Sequence, residues 1–202
     1  MRKIFLTISF CLCLASAYAG AGIGVKYGSA PADSNFSEID SMLAPQSSSI
    51  TEEKAFWGFE FFMEKEAQKD ALGLRLGLNK HGDTKYSAHV SDMWATFDVS
   101  ITNKLYTLPI AVYYKYKLLE WLHVSAGGGA TVAWGEFKDS EGGVYDEVIV
   151  FPHIAAGLEL RLHNHFGIGL DLTENINAEI KRSGVTRDLS GLQTSVTARW
   201  YF

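Results

Sequence analysis

Cysteine is almost absent from this sequence of 202 residues, and the two that occur, Cys11 and Cys13, lie near its start. Neither stands where a lipoprotein signal would need it, so we expect no lipid anchor. The rest of the chain cannot form disulfide bonds, and it must draw its stability from another source.

The first stretch, Met1–Ala19, has the order of a secretory signal peptide. Two basic residues precede an apolar run over Ile4–Leu14, and Ala17-Tyr18-Ala19 supplies a small-residue cleavage site. We predict a cleaved signal peptide over residues 1–19 and one mature domain over residues 20–202. Cleavage removes two positive charges and changes the formal net charge from −5 to −7. This acidity argues against a nucleic-acid partner.

Long apolar runs are missing after the signal peptide. The longest, such as Leu118–Leu122, are interrupted within a few residues, whereas a spanning helix needs about 20. Only helices and closed β-barrels satisfy every backbone hydrogen bond in lipid. A membrane location would therefore require a barrel.

Metal ligands are also scarce. With no cysteine in the mature chain, His153, His163 and His165 do not form a convincing metal-binding pattern. We predict no metal site and no cofactor.

What the chain has instead is alternation with period two, the pattern of a β-strand with two different faces. It is cleanest in Ala71–Asn79, where four leucines alternate with Gly73, Arg75 and Gly77. The predicted strands are Gly22–Gly28, Lys54–Glu64, Ala71–Asn79, Phe97–Lys117, Leu122–Glu136, Glu147–Leu162, Phe166–Ile176 and Leu189–Phe202.

The connections sort by length: those after every second strand have six residues or fewer, and the others are longer. The long ones are Ser29–Glu53, with one helical turn near Phe36–Met42, and Lys80–Trp94, Phe137–Asp146 and Asn177–Asp188. Long loops at one end and tight turns at the other are typical of outer-membrane barrels. The sequence predicts an all-β fold, an eight-stranded antiparallel up-and-down transmembrane β-barrel.

The fourth strand is irregular. Its apolar residues change parity at Asn103-Lys104, which predicts a β-bulge there. Pro109 lies inside the same strand, and it predicts a bulge or an interrupted ladder.

Alternation alone does not tell which face points outward, since a soluble lipocalin-like barrel has the same period. Glycine crowds one face, which suits a filled lumen better than a soluble exterior. The same face carries charges that could pair across neighbouring strands, Glu60 with Arg75, for example. The predicted lumen charges are Lys26, Glu60, Arg75, Lys115, Glu159, Arg161, Asp171 and Arg199.

Aromatic residues lie at strand ends on the apolar face, where membrane barrels carry two girdles. Trp57, Tyr106 and Trp134 are predicted near the outer interface. The set predicted near the periplasmic interface is Phe61, Tyr114, Tyr116, Phe166, Trp200 and the terminal Phe202.

The segment LYTLPIAVYYKYKL (Leu105–Leu118) and the terminal ARWYF resemble the small outer-membrane barrel family. That family includes the opacity-type proteins and the barrel of outer-membrane protein A. The resemblance implies a bacterial outer-membrane location, lipid as the surroundings, and the barrel-assembly machinery as a partner that reads Phe202. It also implies a barrel without a periplasmic peptidoglycan-binding domain.

Some eight-stranded barrels of this membrane are lipid A deacylases with a His-x-Ser pair and a Glu. His123 and Ser125 have that spacing, and Glu136 follows. In the predicted topology, however, His123 and Glu136 lie at opposite ends of one strand, roughly 40 Å apart at ~3.3 Å per residue. We therefore predict no catalytic residues.

The functional prediction is a monomeric barrel with a structural or surface-contact role of the adhesion type. Host or matrix ligands would bind the long loops Ser29–Glu53 and Lys80–Trp94, because loops on a rigid scaffold carry binding. A narrow ion or solute channel is the alternative, and a lipid A-modifying enzyme is a third class.

Overall fold

The computed structural model describes residues 20–31, 33–67, 69–91, 96–138, 144–182 and 185–202; the predicted signal peptide lies outside them. The described residues form one short helix, α1 (Ser37–Leu43), and thirteen strands. The strands are β1 (Gly20–Ser29), β2 (Asp33–Asn35), β3 (Ser47–Glu52), β4 (Ala55–Ala67), β5 (Asp70–His81), β6 (Thr84–Ser91), β7 (Thr96–Leu119), β8 (Leu122–Lys138), β9 (Val144–His163), β10 (Phe166–Asn175), β11 (Glu179–Arg182), β12 (Val185–Asp188) and β13 (Gly191–Tyr201).

Eight of these strands close into an antiparallel barrel, in the order β1, β4, β5, β7, β8, β9, β10 and β13. The last strand returns to the first, with Ile23 opposite Trp200. The predicted eight-stranded up-and-down barrel is confirmed. Within the described part of the chain, no helix is long and apolar enough to cross a membrane.

The two faces of β13 show why these residues form a barrel. Thr197 and Arg199 point inward and are 0% and 2% exposed, while Val196 and Trp200 point outward and are 55% and 51% exposed. The inner face is crowded: a Cβ on Gly169 would lie 2.3 Å from Nη1 of Arg199. Small residues on the lumen side therefore make room for the few large charged ones.

At the distal end, opposite to Gly20 and Phe202, the predicted loops contain regular structure. The segment predicted as a polar connection from Lys80 contains β6, which pairs with β7, and β3 pairs with β6 in turn. Treating Thr84–Ser91 as loop was wrong. Its alternation of buried Tyr86 and Ala88 with polar neighbours is a strand pattern, but the polar residues around it concealed the signal.

The other long connections fold as well. Helix α1 confirms the helical turn predicted near Phe36–Met42, and it ends where Ala44 takes a left-handed conformation with φ of 40°. Strands β11, β12 and β2 form a separate three-stranded sheet. Part of the connection predicted at Phe137–Asp146, residues 139–143, lies outside the described residues.

The bulge predicted at Asn103-Lys104 is wrong, since β7 keeps one register against β8 through these residues. Lys80 is opposite Tyr106 and Thr84 is opposite Asn103, so four steps along β5 and β6 face three steps along β7. The extra residue therefore lies between Lys80 and Thr84, and not in β7. The apolar side chains of β7 change parity for another reason. Beyond the membrane-facing part of the barrel, the inner side of the wall becomes the apolar one.

The ladder interruption predicted at Pro109 is confirmed. Between β5 and β7, Leu76 pairs with Ile110 and Asn79 with Thr107, and the two pairs between them are missing without a change of register. Proline has no N–H to donate to β5. Its pairing with Thr131 on the other side is regular.

Candidate functional site

All eight predicted lumen charges point into the barrel and are buried or half-buried. Arg199 is at the centre: its Nε donates to Glu60 Oε1 over 2.6 Å, its Nη2 to Asp171 Oδ2 over 2.5 Å, and its Nη1 to Glu159 Oε2 over 3.2 Å. One guanidinium therefore joins carboxylates from three strands. Breaking such a buried network leaves charges unpaired in low dielectric, which is costly.

Two further cations, Lys26 and Arg75, contact two of these carboxylates, Glu60 and Asp171. Lys26 Nζ lies 3.3 Å from Glu60 Oε2, and Arg75 Nε lies 3.7 Å from the same atom. Arg75 Nη1 donates to Asp171 Oδ1 over 3.1 Å. We call the set Lys26, Glu60, Arg75, Asp171 and Arg199 the upper charge layer.

A second set of charges lies nearer the barrel end with Gly20 and Phe202. We call the set Glu64, Lys115, Glu159 and Arg161 the lower charge layer. Lys115 forms ion pairs with Glu64 and Glu159, and Arg161 Nε donates to Glu159 Oε1 over 3.2 Å. The guanidinium of Arg161 lies 3.6 Å from the centre of the Tyr201 ring. Glu64 was missing from the predicted charges, although its even position on β4 put it on the same face as Glu60.

The outward face of the barrel is apolar over a continuous band. On β5, for example, Leu72, Leu74, Leu76 and Leu78 are all 38–58% exposed. Soluble proteins rarely expose apolar patches of more than a few hundred Å². A band around a closed barrel is the surface that lipid covers.

The predicted girdle residues lie on this outward face, exposed or half-buried. They are Trp57, Phe61, Tyr106, Tyr114, Tyr116, Trp134, Phe166 and Trp200. Tyr106 and Trp134 stack with ring centres 5.7 Å apart, and Phe166 and Trp200 lie 6.4 Å apart. Their role at the two membrane interfaces stays a prediction. So does the assembly role of Phe202, whose N–H donates to Ala21 O over 2.9 Å.

At the distal end, the inner side of the barrel wall is apolar and supports a small core. We call it the cap cluster: Phe36, Ile39, Tyr86, Ala88, Leu105, Ala133, Phe137, Phe151, Ala178, Ile180, Val185 and Leu189. Phe36 stacks on Tyr86 with ring centres 4.7 Å apart, and Tyr86 Oη donates to Asp40 Oδ1 over 2.5 Å. Burial and this hydrogen bond raise the pKa of Tyr86 to about 12. The cap cluster packs α1, β6, β11 and β12 against the distal ends of β7, β8 and β9.

A buried arginine fastens the three-stranded sheet to the barrel. Arg187 on β12 is 0% exposed, and its Nη2 donates to Gly82 O over 3.1 Å. Burial lowers the pKa of Arg187 to about 10, while the nearby carboxylates of Glu52 and Asp83 oppose this shift. This hydrogen bond fixes the bend between β5 and β6 beside the cap cluster.

Beside the cap, a three-stranded extension continues the barrel wall. We call it the wing: β3, β6 and residues 96–102 of β7. Strand β3 pairs with β6 alone among the described strands, and all residues of Ser47–Thr51 are exposed, Ile50 to 46%. A groove of about 410 Å³ on the wing is lined by serines from all three strands, with Ser49 and Ser100 both opposite Ser87. The wing therefore has an exposed sheet edge.

The residues of the deacylase pattern are not brought together. His123 and Ser125 lie on the lumen side of β8, opposite Glu159 and Gly157. Glu136 lies near the distal end of the same strand and forms an ion pair with Lys138 over 3.0 Å.

The remaining histidines are separate. His153 Nδ1 lies 2.9 Å from Thr131 Oγ1 in the lumen, whereas His163 and His165 flank a turn with ring centres 5.8 Å apart. No group of three potential metal ligands occurs among the residues that the structure describes.

The closed barrel, its apolar band and its polar, ion-paired lumen define an integral β-barrel membrane protein. The chain matches the model of the outer membrane protein β-barrel domain family over residues 4–202, and it belongs to that family. It is a protein of the bacterial outer membrane. No curated protein matches its sequence.

Solved structures share the fold. Ail, the attachment invasion locus protein of Yersinia pestis, is similar with a TM-score of 0.51 and 12% identity, over 92% of this chain and 99% of Ail. Neisserial surface protein A has a TM-score of 0.52 and 11% identity, over 90% of this chain and 97% of that one. Both are small outer-membrane barrels. In outer-membrane barrels generally, the short turns face the periplasm and the longer connections face the outside.

Proposed function

We propose that this protein is a surface-contact protein of the adhesion type, and that the wing is its binding surface. An extended peptide segment of a host or matrix protein would add a strand to the edge of β3. Main-chain hydrogen bonds would then supply affinity. Strand β3 lies in Ser29–Glu53 and strand β6 lies in Lys80–Trp94, the two long loops that were predicted to carry function.

The hydrogen-bond pattern of β3 supports this proposal. Glu53 N donates to Asp83 O in the register of the β3–β6 ladder, so odd positions of β3 face β6. Residues alternate along an antiparallel strand. The N–H groups of Ser48 and Ile50 therefore point away from β6, where β3 has no neighbouring strand among the described residues. Free edge groups of this kind are templates for pairing.

Similar proteins agree with a surface role. Ail is an attachment invasion locus protein by name, and it has been crystallised with the heparin analogue sucrose octasulfate. The wing offers little charge for a polyanion, because Lys85 and His89 are accompanied by Glu52 and Asp98. A peptide fits its serine-rich edge better than a sulfated sugar.

The lumen argues against the other two classes. The cap cluster packs at its distal end, and two layers of buried ion pairs cross it. An eight-stranded barrel is just wide enough for such side chains. The proposal also assigns no catalytic role to His123, Ser125 and Glu136, which lie along the length of one strand.

The test is a proline at the edge. Ser48→Pro removes an N–H that faces away from β6, and leaves the β3–β6 ladder intact. We expect binding to cultured cells or immobilised matrix proteins to fall about tenfold, the effect of losing about 1.4 kcal/mol. The assay uses a non-adherent bacterium that displays the full chain.

Ser48→Ala is the matched control, because it keeps the N–H and should bind like the wild type. Equal binding by both variants would refute the role of the edge. Planar-bilayer conductance of the wild-type protein tests the channel alternative, and we expect no steady current.

A further inference from the structure

Between the upper charge layer and the cap cluster, the lumen contains a chamber of about 40 Å³ that is lined by both polar and apolar side chains. Its lining includes Lys26, Arg75, Thr107, Thr131, His153 and Gln193. A cavity needs roughly 10–15 Å³ of such volume to hold one water. The chamber therefore has room for one small ion together with water.

The floor of the chamber has an excess of positive charge. The upper charge layer contains three cations, Lys26, Arg75 and Arg199, and two carboxylates, Glu60 and Asp171. Arg199 also pairs with Glu159, so the charges are counted over both layers: five cations, with Lys115 and Arg161, face four carboxylates, with Glu64 and Glu159, and one positive charge is left over. The five side chains of the upper charge layer are at most 14% exposed. Uncompensated charge in a buried site is costly, so a counter-anion would be stabilised there.

Asp171 also lines the chamber, but its oxygens are already engaged. Oδ1 accepts from Arg75, and Oδ2 accepts from Arg199 and from Thr197 Oγ1 over 2.7 Å. It therefore offers little repulsion beyond the charge already counted. Lys26 differs, since its ammonium has one ion-pair partner among the described residues, Glu60 at 3.3 Å.

The walls add a neutral donor. Gln193 Nε2 is buried and has no hydrogen-bond partner among the described residues. Thr107 and Thr131 also line the chamber, but their hydroxyls are engaged: Thr107 Oγ1 lies 3.0 Å from His81 Nε2 and accepts from Asn79 Nδ2, and Thr131 Oγ1 lies 2.9 Å from His153 Nδ1. A halide ion accepts hydrogen bonds from ammonium and amide N–H groups, and Lys26 and Gln193 supply one of each.

We propose that this chamber binds one small monovalent anion, chloride under ordinary conditions, with Lys26 as its principal contact. The anion balances the one positive charge that is left over in the two charge layers. It makes the chamber a structural ion site inside the barrel, independent of any binding at the wing.

Bromide is the probe, because it resembles chloride in charge and size and scatters X-rays anomalously. The full mature chain is refolded in detergent with sodium bromide, so that the ion can enter before the barrel closes. We expect an anomalous peak in the chamber beside Lys26 Nζ in crystals. Density that water alone explains would overturn the proposal.

Lys26→Met removes the contact and the excess charge together, and it should abolish the peak. Lys85→Met is the control, since Lys85 is exposed on β6, and it should retain the peak. An equal peak in both variants would contradict the role of Lys26.

If Lys26→Met does not crystallise, thermal unfolding of the wild type tests whether the chamber binds chloride. A ligand that binds only the folded state raises the midpoint. The wild type should unfold at a higher temperature in sodium chloride than in sodium gluconate of equal ionic strength, because gluconate is too large for the chamber. A midpoint that is the same in both salts would refute the proposal.

Discussion

The barrel strands β7, β8 and β9 continue into the cap cluster, where their apolar side chains point inward instead of outward. In the barrel, Leu74 and Val112 point outward and Glu60 and Arg199 point inward. In the cap, Leu105 points inward and is 0% exposed. The difference follows from the surroundings: lipid stabilises apolar side chains outside the barrel, whereas water surrounds the cap and drives its apolar side chains inside.

The second contrast is in how each part is held together. The barrel interior depends on ion pairs such as Arg199 with Asp171, and the cap depends on apolar packing around Phe36 and Tyr86. Damage to one part should therefore leave a different signature from damage to the other. The predictions below separate them.

The largest effect is expected from deleting Phe202. The resemblance to outer-membrane barrels makes the terminal aromatic part of the insertion signal, so the yield of protein in the outer membrane should fall more than with any change in the cap. Cell fractionation and heat-dependent mobility on a detergent gel measure it. Normal yield of the truncated chain would refute this role.

Arg199→Met should destabilise the barrel itself. The change removes the one cation that Glu60, Asp171 and Glu159 all share, and breaking a buried network costs about 3–5 kcal/mol. Urea unfolding in detergent or lipid vesicles measures the loss. Lys181→Met is the control: Lys181 forms an exposed pair with Glu179, and such pairs contribute about 0–1 kcal/mol. Similar losses in both variants would contradict the contrast between buried and exposed pairs.

Phe36→Ala should affect the cap alone. Removing a buried aromatic side chain costs about 3–5 kcal/mol, but here the loss is confined to the cap cluster. We expect faster protease cleavage in the cap segments while the heat-dependent gel shift of the barrel is retained. Unchanged cleavage would mean that the cap cluster contributes little.

Much of the barrel could be predicted because its signal is local. Alternation identifies each strand and its two faces without knowledge of the neighbours, as in Leu72 to Leu78. The ladder interruption at Pro109 was equally local, since proline lacks the N–H wherever it lies. The bulge at Asn103-Lys104 was wrong because a change of parity has two causes, an extra residue or a change of surroundings, and a sequence does not distinguish them.

The pairing of the lumen charges shows the same limit. The alternation put Glu60, Glu159 and Asp171 on one face, but which cation each carboxylate meets depends on the registers of three strands. The hydrogen bonds of Arg199 go to all three of those carboxylates, and Glu60 also forms an ion pair with Lys26. The cap sheet β11–β12–β2 lay beyond local reasoning as well, because β2 and β12 are about 150 residues apart in the chain.

The sequence by itself determined the eight barrel strands and their two faces, because side-chain alternation follows from backbone geometry within each strand. The tertiary structure decided where the apolar side turns inward, which edge stays unpaired and how five lumen cations come to share four carboxylates. Those features depend on residues far apart in the chain, and closure of the ring brings them together.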